Sequence, residues 1–185
     1  YGKYIDESVV KQFEKETGIT VKYEEYESPE EMYTKYKAGS INYDVICSSE
    51  YMVERLINEG EVLEEDFDVM DNYKNLDPTI LDMSASYDRN HTYSVPYFYG
   101  TLGLLYNKTT IDAKTVSSWD CLWDPTYEDE IIMENSVRDT FAPALISKGY
   151  SLNDTDENHL REALDILKKQ KDDKIVYAYY VDETA

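Results

Sequence analysis

The stretch Tyr43-Asp44-Val45-Ile46-Cys47-Ser48-Ser49-Glu50-Tyr51 has an apolar centre, then a short polar loop, then the start of a helical pattern. The apolar positions that continue the helix are Met52, Val53, Leu56 and Ile57. A buried strand followed at once by a helix is typical of a parallel α/β sheet, in which ligands bind just past the carboxyl ends of the strands. Ser48, Ser49 and Tyr51 occupy that position. None of these side chains is a strong nucleophile without a base beside it, so the stretch predicts binding rather than bond cleavage.

Two helices are predicted before this stretch. The first covers residues 6–17, and Gly18 ends it. The second begins with a capping box of Ser28 and Glu31 and ends near Gly39. The apolar positions of the two helices are Val9, Val10 and Phe13 in the first and Met32, Tyr33 and Tyr36 in the second. Between the helices, alternating apolar residues predict a strand through Ile19, Val21 and Tyr23. This alternation of strands and helices predicts βαβ units and a parallel sheet.

The middle of the chain predicts a passage between two lobes. Residues 61–92 are acidic and irregular, which indicates surface connections with at most one short helix. Residues 93–107 hold two apolar runs separated by Gly100, a pattern that suits either a crossing between lobes or a single buried hairpin. Taking the first interpretation, we predict a first α/β lobe over residues 1–100 and the first part of a second over residues 101–185.

The second half continues the same alternation. A short helix, a strand, two helices and a last strand are predicted at residues 117–123, 130–133, 136–148, 160–167 and 175–180. The residues expected to face inward on the two longer helices are Val137, Phe141, Ala144 and Leu145, and then Leu160, Ala163, Leu164 and Leu167.

The charge balance argues against one class of partner. The chain carries 18 basic and 39 acidic residues, a formal net charge of −21. Nucleic-acid binding needs a basic face and is therefore not expected. A cationic ligand is compatible with this charge, but an acidic surface also simply keeps a protein soluble, so charge alone selects no ligand. No apolar run of about 18 residues is present to span a membrane, and no signal peptide is visible.

Cysteines and histidines suggest no metal or cofactor. Cys47 lies in a predicted buried strand and Cys121 in a predicted helix, so both are expected to be buried free thiols. His91 and His159 have no partners at ligand spacing, so a histidine metal site is not predicted.

Signatures of catalysis are missing from the sequence. It contains no Gly-x-Ser-x-Gly elbow, no phosphate-binding loop, no His-Glu-x-x-His and no Gly-x-Gly-x-x-Gly. Carboxylates are abundant, so counting them does not dismiss a paired-carboxylate hydrolase. The 19 tyrosines are a more distinctive feature, because aromatic faces attract cations and cover methylene chains. The tyrosines at predicted cleft positions are Tyr1, Tyr4, Tyr51, Tyr97 and Tyr99, for each of which ordinary packing is the alternative role.

Several stretches, taken in order, carry a family resemblance. They are Tyr4-Ile5-Asp6, residues 13–19, Glu31-Met32-Tyr33, Tyr43-Asp44-Val45-Ile46, Tyr93-Ser94-Val95-Pro96-Tyr97, residues 115–119 with Leu122-Trp123, Val137-Arg138-Asp139 and residues 145–152. In this order and spacing the sequence resembles the spermidine/putrescine-binding proteins, the extracytoplasmic solute receptors of polyamine ABC transporters. The resemblance implies an α/β, two-lobed periplasmic-binding-protein-like (type II) fold whose lobes close over a linear polyamine.

The resemblance also implies a set of ligand-binding residues. Tyr1 falls where the family commonly has a cleft tryptophan, and Tyr4 falls on a cleft tyrosine. Ser49 and Tyr51 fall on the serine and tyrosine after the third strand. Asp139 falls on the acidic residue of the second lobe that pairs with an amine. Tyr99 and Ser136 complete the predicted set.

The sequence departs from the family pattern at two positions and matches only part of the family's length. Ser136 stands where some members have a second aspartate, and Ser48 replaces a proline often found before the serine. The family's first strand precedes Tyr1, and its later segments lie beyond Ala185. We therefore expect the chain to be an N-terminal fragment in which the fold is incomplete, and which by itself binds polyamine poorly.

The function implied is that of a receptor which binds spermidine or putrescine and delivers it to the permease subunits of an ABC transporter. Such a protein is expected to be a monomer in the periplasm or at the cell surface, as a free protein, a lipoprotein or a permease fusion. It is not expected to be an enzyme or to need a cofactor. The alternatives are a receptor for a sugar or an oxyanion, an enzyme on a related two-lobed fold, and a structural or sensory module. An oxyanion site would use Arg55 or Arg138, which lie near the predicted ligand residues.

Overall fold

The computed structural model describes residues 4–180. The chain divides into two units, the first ending at Gly100 and the second beginning at Thr101. Each unit has its own hydrophobic core. That these units are the two lobes of a ligand-binding protein stays a prediction.

The first unit is built mainly of helices. They are α1 (Glu7–Thr17), α2 (Pro29–Lys37), α3 (Glu50–Asn58) and α4 (Pro78–Ser84), with 3₁₀ turns at Phe67–Val69 and Tyr73–Asn75. The ends of α1 and α2 are fixed by local chemistry, and those at Gly18 and Ser28 were predicted. The Asp6 carboxylate accepts the Ser8 N–H at the start of α1, and Gly18 ends this helix in the left-handed conformation at φ 74°. At the start of α2 the Ser28 hydroxyl accepts the Glu31 N–H.

The core of the first unit lies where α2 meets α3. Met32 of α2 is fully buried, and Met52 and Leu56 of α3 are 2% exposed. Partly buried side chains pack around these three residues, among them Tyr43 and Ile46 of the central stretch and Tyr51 of α3. The predicted inward faces of these two helices are therefore confirmed at Met32, Met52 and Leu56.

The predicted strands of the first unit are wrong. In the part of the chain that the structure describes, residues 19–23 and 43–47 adopt no paired strand. Val45, predicted to be buried, is 86% exposed, and Cys47 is an exposed free thiol. The physical reason is that extended backbone becomes a strand only when a neighbour satisfies its N–H and C=O groups. No described segment does so here. Tyr43 and Ile46 pack on the helices, and Val45 is exposed.

One further expectation for the first unit is corrected. The predicted apolar face of α1 is not buried, since Val9 and Phe13 are both exposed. Residues 93–107, for which a single buried hairpin was the alternative interpretation, form no hairpin within the described chain, and Leu105 of the second unit is fully exposed. Residues 61–92 contain one short helix, α4, as predicted, but also a buried carboxylate, Asp88, that the sequence did not reveal.

The second unit contains the described sheet. Strand β1 (Ile131–Glu134) pairs in parallel with β2 (Val176–Tyr180), and α5 (Val137–Ser147) and α6 (Glu157–Asp172) connect them. Short 3₁₀ segments cover Trp119–Trp123 and Pro125–Tyr127. Parallel strands require such a crossover connection, so the predicted strand–helix alternation is confirmed in this unit.

Two clusters form the core of the second unit. The first joins α5 to α6 through Ala144, Leu145, Ala163 and Leu167. The second joins the Trp119–Trp123 turn to the sheet through Cys121, Leu122 and Met133. The Gln170 amide, 1% exposed, donates to the Leu122 carbonyl at 2.8 Å and so ties α6 to that turn. Two residues predicted to face inward are exposed instead, Val137 and Leu164, because each lies at the edge of its helix's buried face.

Candidate ligand-binding site

The N-terminal end of α3 presents two of the predicted site residues. Ser49 is the N-cap residue, but its side chain makes no capping hydrogen bond. Tyr51 is half-buried against the Met32–Met52–Leu56 core, and its hydroxyl donates to Glu30 Oε1 of α2 at 2.9 Å. The first turn of α3 therefore holds a tyrosine hydroxyl in a fixed direction, because both helices that carry the pair are packed on the same core.

Tyr4 belongs to a cluster of aromatic side chains. Its ring lies 5.5 Å from that of Phe98, and the rings of Tyr97 and Phe98 are 4.2 Å apart. The Tyr97 hydroxyl donates to the Tyr4 carbonyl at 2.7 Å. We call Tyr4, Tyr97 and Phe98 the aromatic cluster. Phe98 was absent from the predicted set, although its place inside the run Tyr97-Phe98-Tyr99 could have indicated it.

Tyr23 interacts electrostatically with one residue of the aromatic cluster and with one residue of the central stretch. Burial raises the pKa of Tyr23, and the neighbouring Glu25, Cys47 and Tyr97 raise it further. Cys47 and Tyr97 therefore both lie within electrostatic range of the Tyr23 hydroxyl. Cys47 belongs to the segment that enters α3, and Tyr97 belongs to the aromatic cluster. Tyr99, the next predicted residue, is 71% exposed.

The second unit contributes Ser136 and Asp139 at the start of α5. The Ser136 hydroxyl caps the helix by accepting the Asp139 N–H at 3.3 Å. The Asp139 side chain is exposed, and among the described residues no hydrogen bond or ion pair to its carboxylate is found. A carboxylate in this state can accept hydrogen bonds from a cationic ligand. Tyr1, the remaining predicted residue, lies outside the described residues.

The two arginines that an oxyanion site would need are engaged elsewhere. Arg55 donates to Glu59 Oε1 at 2.9 Å, toward the C-terminal end of α3, and its guanidinium lies 3.9 Å from the centre of the Tyr33 ring. Arg138 donates to the Asn153 amide oxygen at 2.5 Å. These contacts turn Arg55 away from Ser49, and they hold Arg138 on the loop before α6.

An open cavity of about 330 Å³ lies elsewhere in the first unit. Its lining includes Glu54, Tyr87 and Asp88 and none of the predicted site residues. The Asp88 carboxylate faces its own chain, where it accepts the N–H groups of Thr92, Tyr93 and Ser94 at 2.9–3.0 Å. Burial opposes the charge of Asp88, but these hydrogen bonds and one from the Ser94 hydroxyl outweigh it and lower its pKa. Asp88 thus holds the chain that leads to the aromatic cluster rather than a ligand.

The described residues offer neither a metal site nor a membrane span. Across residues 4–180, no group of three or more His, Cys, Asp or Glu side chains is placed to hold a metal ion. Over the same residues, no helix has the length and apolar character needed to cross a bilayer.

Comparison with known proteins identifies the class. Residues 8–185 match the model of the bacterial extracellular solute-binding protein family, and the chain belongs to that family. The chain is 39% identical over 170 residues to the spermidine/putrescine-binding periplasmic protein of Salmonella typhimurium, an alignment that covers 90% of this chain and 48% of that protein. The resemblance inferred from the sequence is therefore confirmed. The chain spans about half the length of the curated relatives it matches.

Solved structures agree with this result. A protein of Listeria monocytogenes, provisionally assigned to a spermidine/putrescine ABC transporter, superposes with a TM-score of 0.90 at 38% identity, over all of this chain and 56% of that one. A spermidine/putrescine ABC transporter substrate-binding protein of Streptococcus pneumoniae gives a TM-score of 0.73 at 38% identity, over 99% of this chain and 55% of that one. The predicted fold class, an α/β fold of the periplasmic-binding-protein type, is confirmed.

Proposed function

We propose that this protein is part of an extracytoplasmic receptor that binds a polyamine, spermidine or putrescine, and delivers it to the permease subunits of an ABC transporter. The relatives named above are polyamine-binding proteins, and they support this substrate class. The observation that carries the proposal is the exposed Asp139 carboxylate in the first turn of α5, which has no described partner of its own.

The chemistry of a polyamine suits these residues. Aliphatic amines have pKa values near that of lysine, about 10, and are charged at neutral pH. Their ammonium groups need carboxylates or other acceptors, and their methylenes need flat apolar surface. Asp139 supplies a carboxylate, and Tyr4, Tyr97 and Phe98 supply aromatic rings. The net charge of −21 favours the approach of a cation.

The other functions have less support. Arg55 and Arg138 are the cations that an oxyanion site was expected to use. They donate instead to Glu59 and Asn153, which weakens the oxyanion hypothesis. The family is one of solute-binding proteins, so we propose binding without catalysis. We also propose that the protein works as a monomer outside the cytoplasm and has no nucleic-acid partner.

A substitution at Asp139 tests the proposal. In the full-length protein, Asp139→Asn should weaken spermidine and putrescine binding at least tenfold, because a hydrogen bond to a charged group contributes about 1.5–3 kcal/mol. Its ligand-free melting temperature should fall only slightly, since asparagine still fits the first turn of a helix. Calorimetry measures the affinity, and a thermal-shift screen of polyamines, sugars and oxyanions measures the selectivity.

Glu157→Gln is the matched control, because it removes one exposed acid from the first turn of α6. Its polyamine affinity should equal that of the wild type. If Asp139→Asn binds normally but is clearly less stable, Asp139 is a helix-end residue only. If a sugar or an oxyanion raises the melting temperature and polyamines do not, the proposed ligand class is wrong.

A further inference from the structure

Glu30 and Tyr51 join the first turns of two helices. Each is the second residue of its helix, Glu30 in α2 and Tyr51 in α3, and the Tyr51 hydroxyl donates to Glu30 Oε1 at 2.9 Å. Both helices pack on the Met32–Met52–Leu56 core, with the Tyr51 ring against it. Glu30 is exposed. The hydrogen bond is therefore held by rigid elements on both sides while its carboxylate remains open to solvent.

This contact decides what the Tyr51 hydroxyl can offer to a ligand. A phenol has one proton to donate, and its oxygen lone pairs can accept. With the proton donated to Glu30, the oxygen is left as an acceptor beside a negative charge. An ammonium group carries only donors and matches such an oxygen. A fully deprotonated oxyanion such as sulfate carries only acceptors and would need the phenolic proton that Tyr51 donates to Glu30.

The helix ends alone would favour the opposite ligand. Helix N-termini carry partial positive charge and attract anions. The first turn of α3 carries Glu50, and that of α2 carries Glu30 and Glu31. The partners of the Glu31 carboxylate lie in or next to its own helix, because it accepts the Glu27 N–H at 2.8 Å and pairs with Lys35 at 2.7 Å. Glu30 is thus the acid of the α2 first turn that is directed to a predicted ligand residue.

We propose that Glu30 is a positioning and specificity-determining residue. It fixes the Tyr51 hydroxyl as a hydrogen-bond acceptor and makes this part of the first unit prefer amines to oxyanions. The inference rests on the proposed function, since Tyr51 is one of its ligand residues. Glu30 was not in the predicted ligand set. A local sequence pattern could not reveal it, because Glu30 and Tyr51 are 21 positions apart.

A double-mutant cycle in the full-length protein tests the role of Glu30. Putrescine and spermidine affinities are measured by calorimetry for Glu30→Ala, Tyr51→Phe and the double variant. Each single variant should bind about tenfold more weakly, as expected for a lost hydrogen bond to a charged group. The double variant should bind no more weakly than Tyr51→Phe, because Glu30 acts through the hydroxyl. Glu30→Gln, whose amide oxygen can still accept that proton, should recover part of the loss.

Glu31→Ala is the matched control, since it removes the same charge from the same helix turn. It should lower the melting temperature through the lost capping contacts and leave polyamine affinity within about twofold. Specificity is followed by competition with sulfate, which carries no donor and should inhibit putrescine binding more strongly in Glu30→Ala than in the wild type.

Each other outcome has a definite meaning. Additive losses in the cycle would show that Glu30 acts independently of Tyr51 and would overturn the positioning role. Unchanged sulfate competition would overturn the specificity role. Normal polyamine affinity in Glu30→Ala would overturn the inference and leave the proposed function standing. A wild-type protein that binds no polyamine would overturn both.

Discussion

Asp88 is a buried carboxylate whose charge is held by four hydrogen bonds. Three backbone N–H groups and the Ser94 hydroxyl donate to it, and its side chain is 2% exposed. A buried charge is tolerated only when it is satisfied in this way. The bonds fix residues 92–94, shortly before Tyr97 and Phe98. Asp88 therefore supports the aromatic cluster without being one of its members.

Asp88→Asn should destabilise the first unit by about 2 kcal/mol, because an amide cannot accept at both of its terminal atoms. The pKa of Asp88 is lowered in the folded protein, so its stabilisation is complete above the unfolded value of about 3.9 and is lost as the pH falls through the folded pKa. Urea unfolding of wild type and variant should thus differ at pH 7 and converge in strong acid. The exposed Asp82→Asn serves as control and should match the wild type throughout. A constant difference at every pH would contradict the charge argument.

At the scale of elements, a network of charged side chains connects α2 to α3. Glu59 accepts hydrogen bonds from Arg55 at 2.9 Å and from the Tyr33 hydroxyl at 2.7 Å, and Lys37 pairs with it at 3.2 Å. The Arg55 bond and then the Tyr33 bond, with Lys37, lower the pKa of Glu59 to about 2. This network lies toward the C-terminal ends of the two helices, whereas Glu30 and Tyr51 join their N-terminal ends. The pair of helices is thus tied at both ends.

Glu59→Gln should lower the stability of the protein at pH 7, because it removes the charge on which Arg55 and Lys37 converge. The stabilisation is present above the unfolded pKa of glutamate, about 4.3, and disappears as the pH falls toward about 2. The network is exposed to solvent, so 1 M salt should shrink the effect. Urea midpoints of wild type, Glu59→Gln and the control Glu54→Gln decide this. An effect that persists at pH 2 would have another cause.

Helices were predictable from the sequence where local chemistry defines them. Gly18 and Ser28, which the sequence predicted as helix ends, act through contacts within a few residues and do so in the structure. The strands through Val21 and Val45 were not predictable in the same way, because pairing depends on a distant neighbour. The predicted strand at Ile131–Glu134 is confirmed, because its pairing partner, Val176–Tyr180, lies in the described chain.

The candidate site follows the same division. Tyr51 and Asp139 lie in the first turns of helices that the sequence pattern predicted, although only the family resemblance singled out Asp139 as a ligand residue. The partners that govern their chemistry come from distant positions, as Glu30 does for Tyr51, and no local pattern contains them. Which apolar residues are buried was harder still to predict, because a single predicted helix face holds both buried and exposed apolar residues. Val137 and Leu145, for example, belong to the same predicted face, but Val137 is exposed and Leu145 is buried.

At the scale of the whole molecule, the two units have separate cores. The core of the first unit is Met32, Met52 and Leu56, and a core of the second joins α5 to α6. The boundary between the units falls after Gly100. Separate cores predict separate local stabilities, since opening of one unit does not by itself expose the core of the other. A binding protein built in this way can lose order in one unit while keeping it in the other.

Hydrogen exchange measured by mass spectrometry tests this independence. Leu145→Ala should destabilise the second unit by about 2–5 kcal/mol, because Leu145 is 2% exposed and its truncation leaves a cavity between α5 and α6. Peptides from α5, α6 and the two strands should then exchange faster, and those from α2 and α3 should not change. Met52→Ala is the reciprocal variant and should speed exchange only in the first unit. Equal acceleration in both units by either variant would mean that the protein unfolds as one cooperative body, and the separate cores would then have no separate stability.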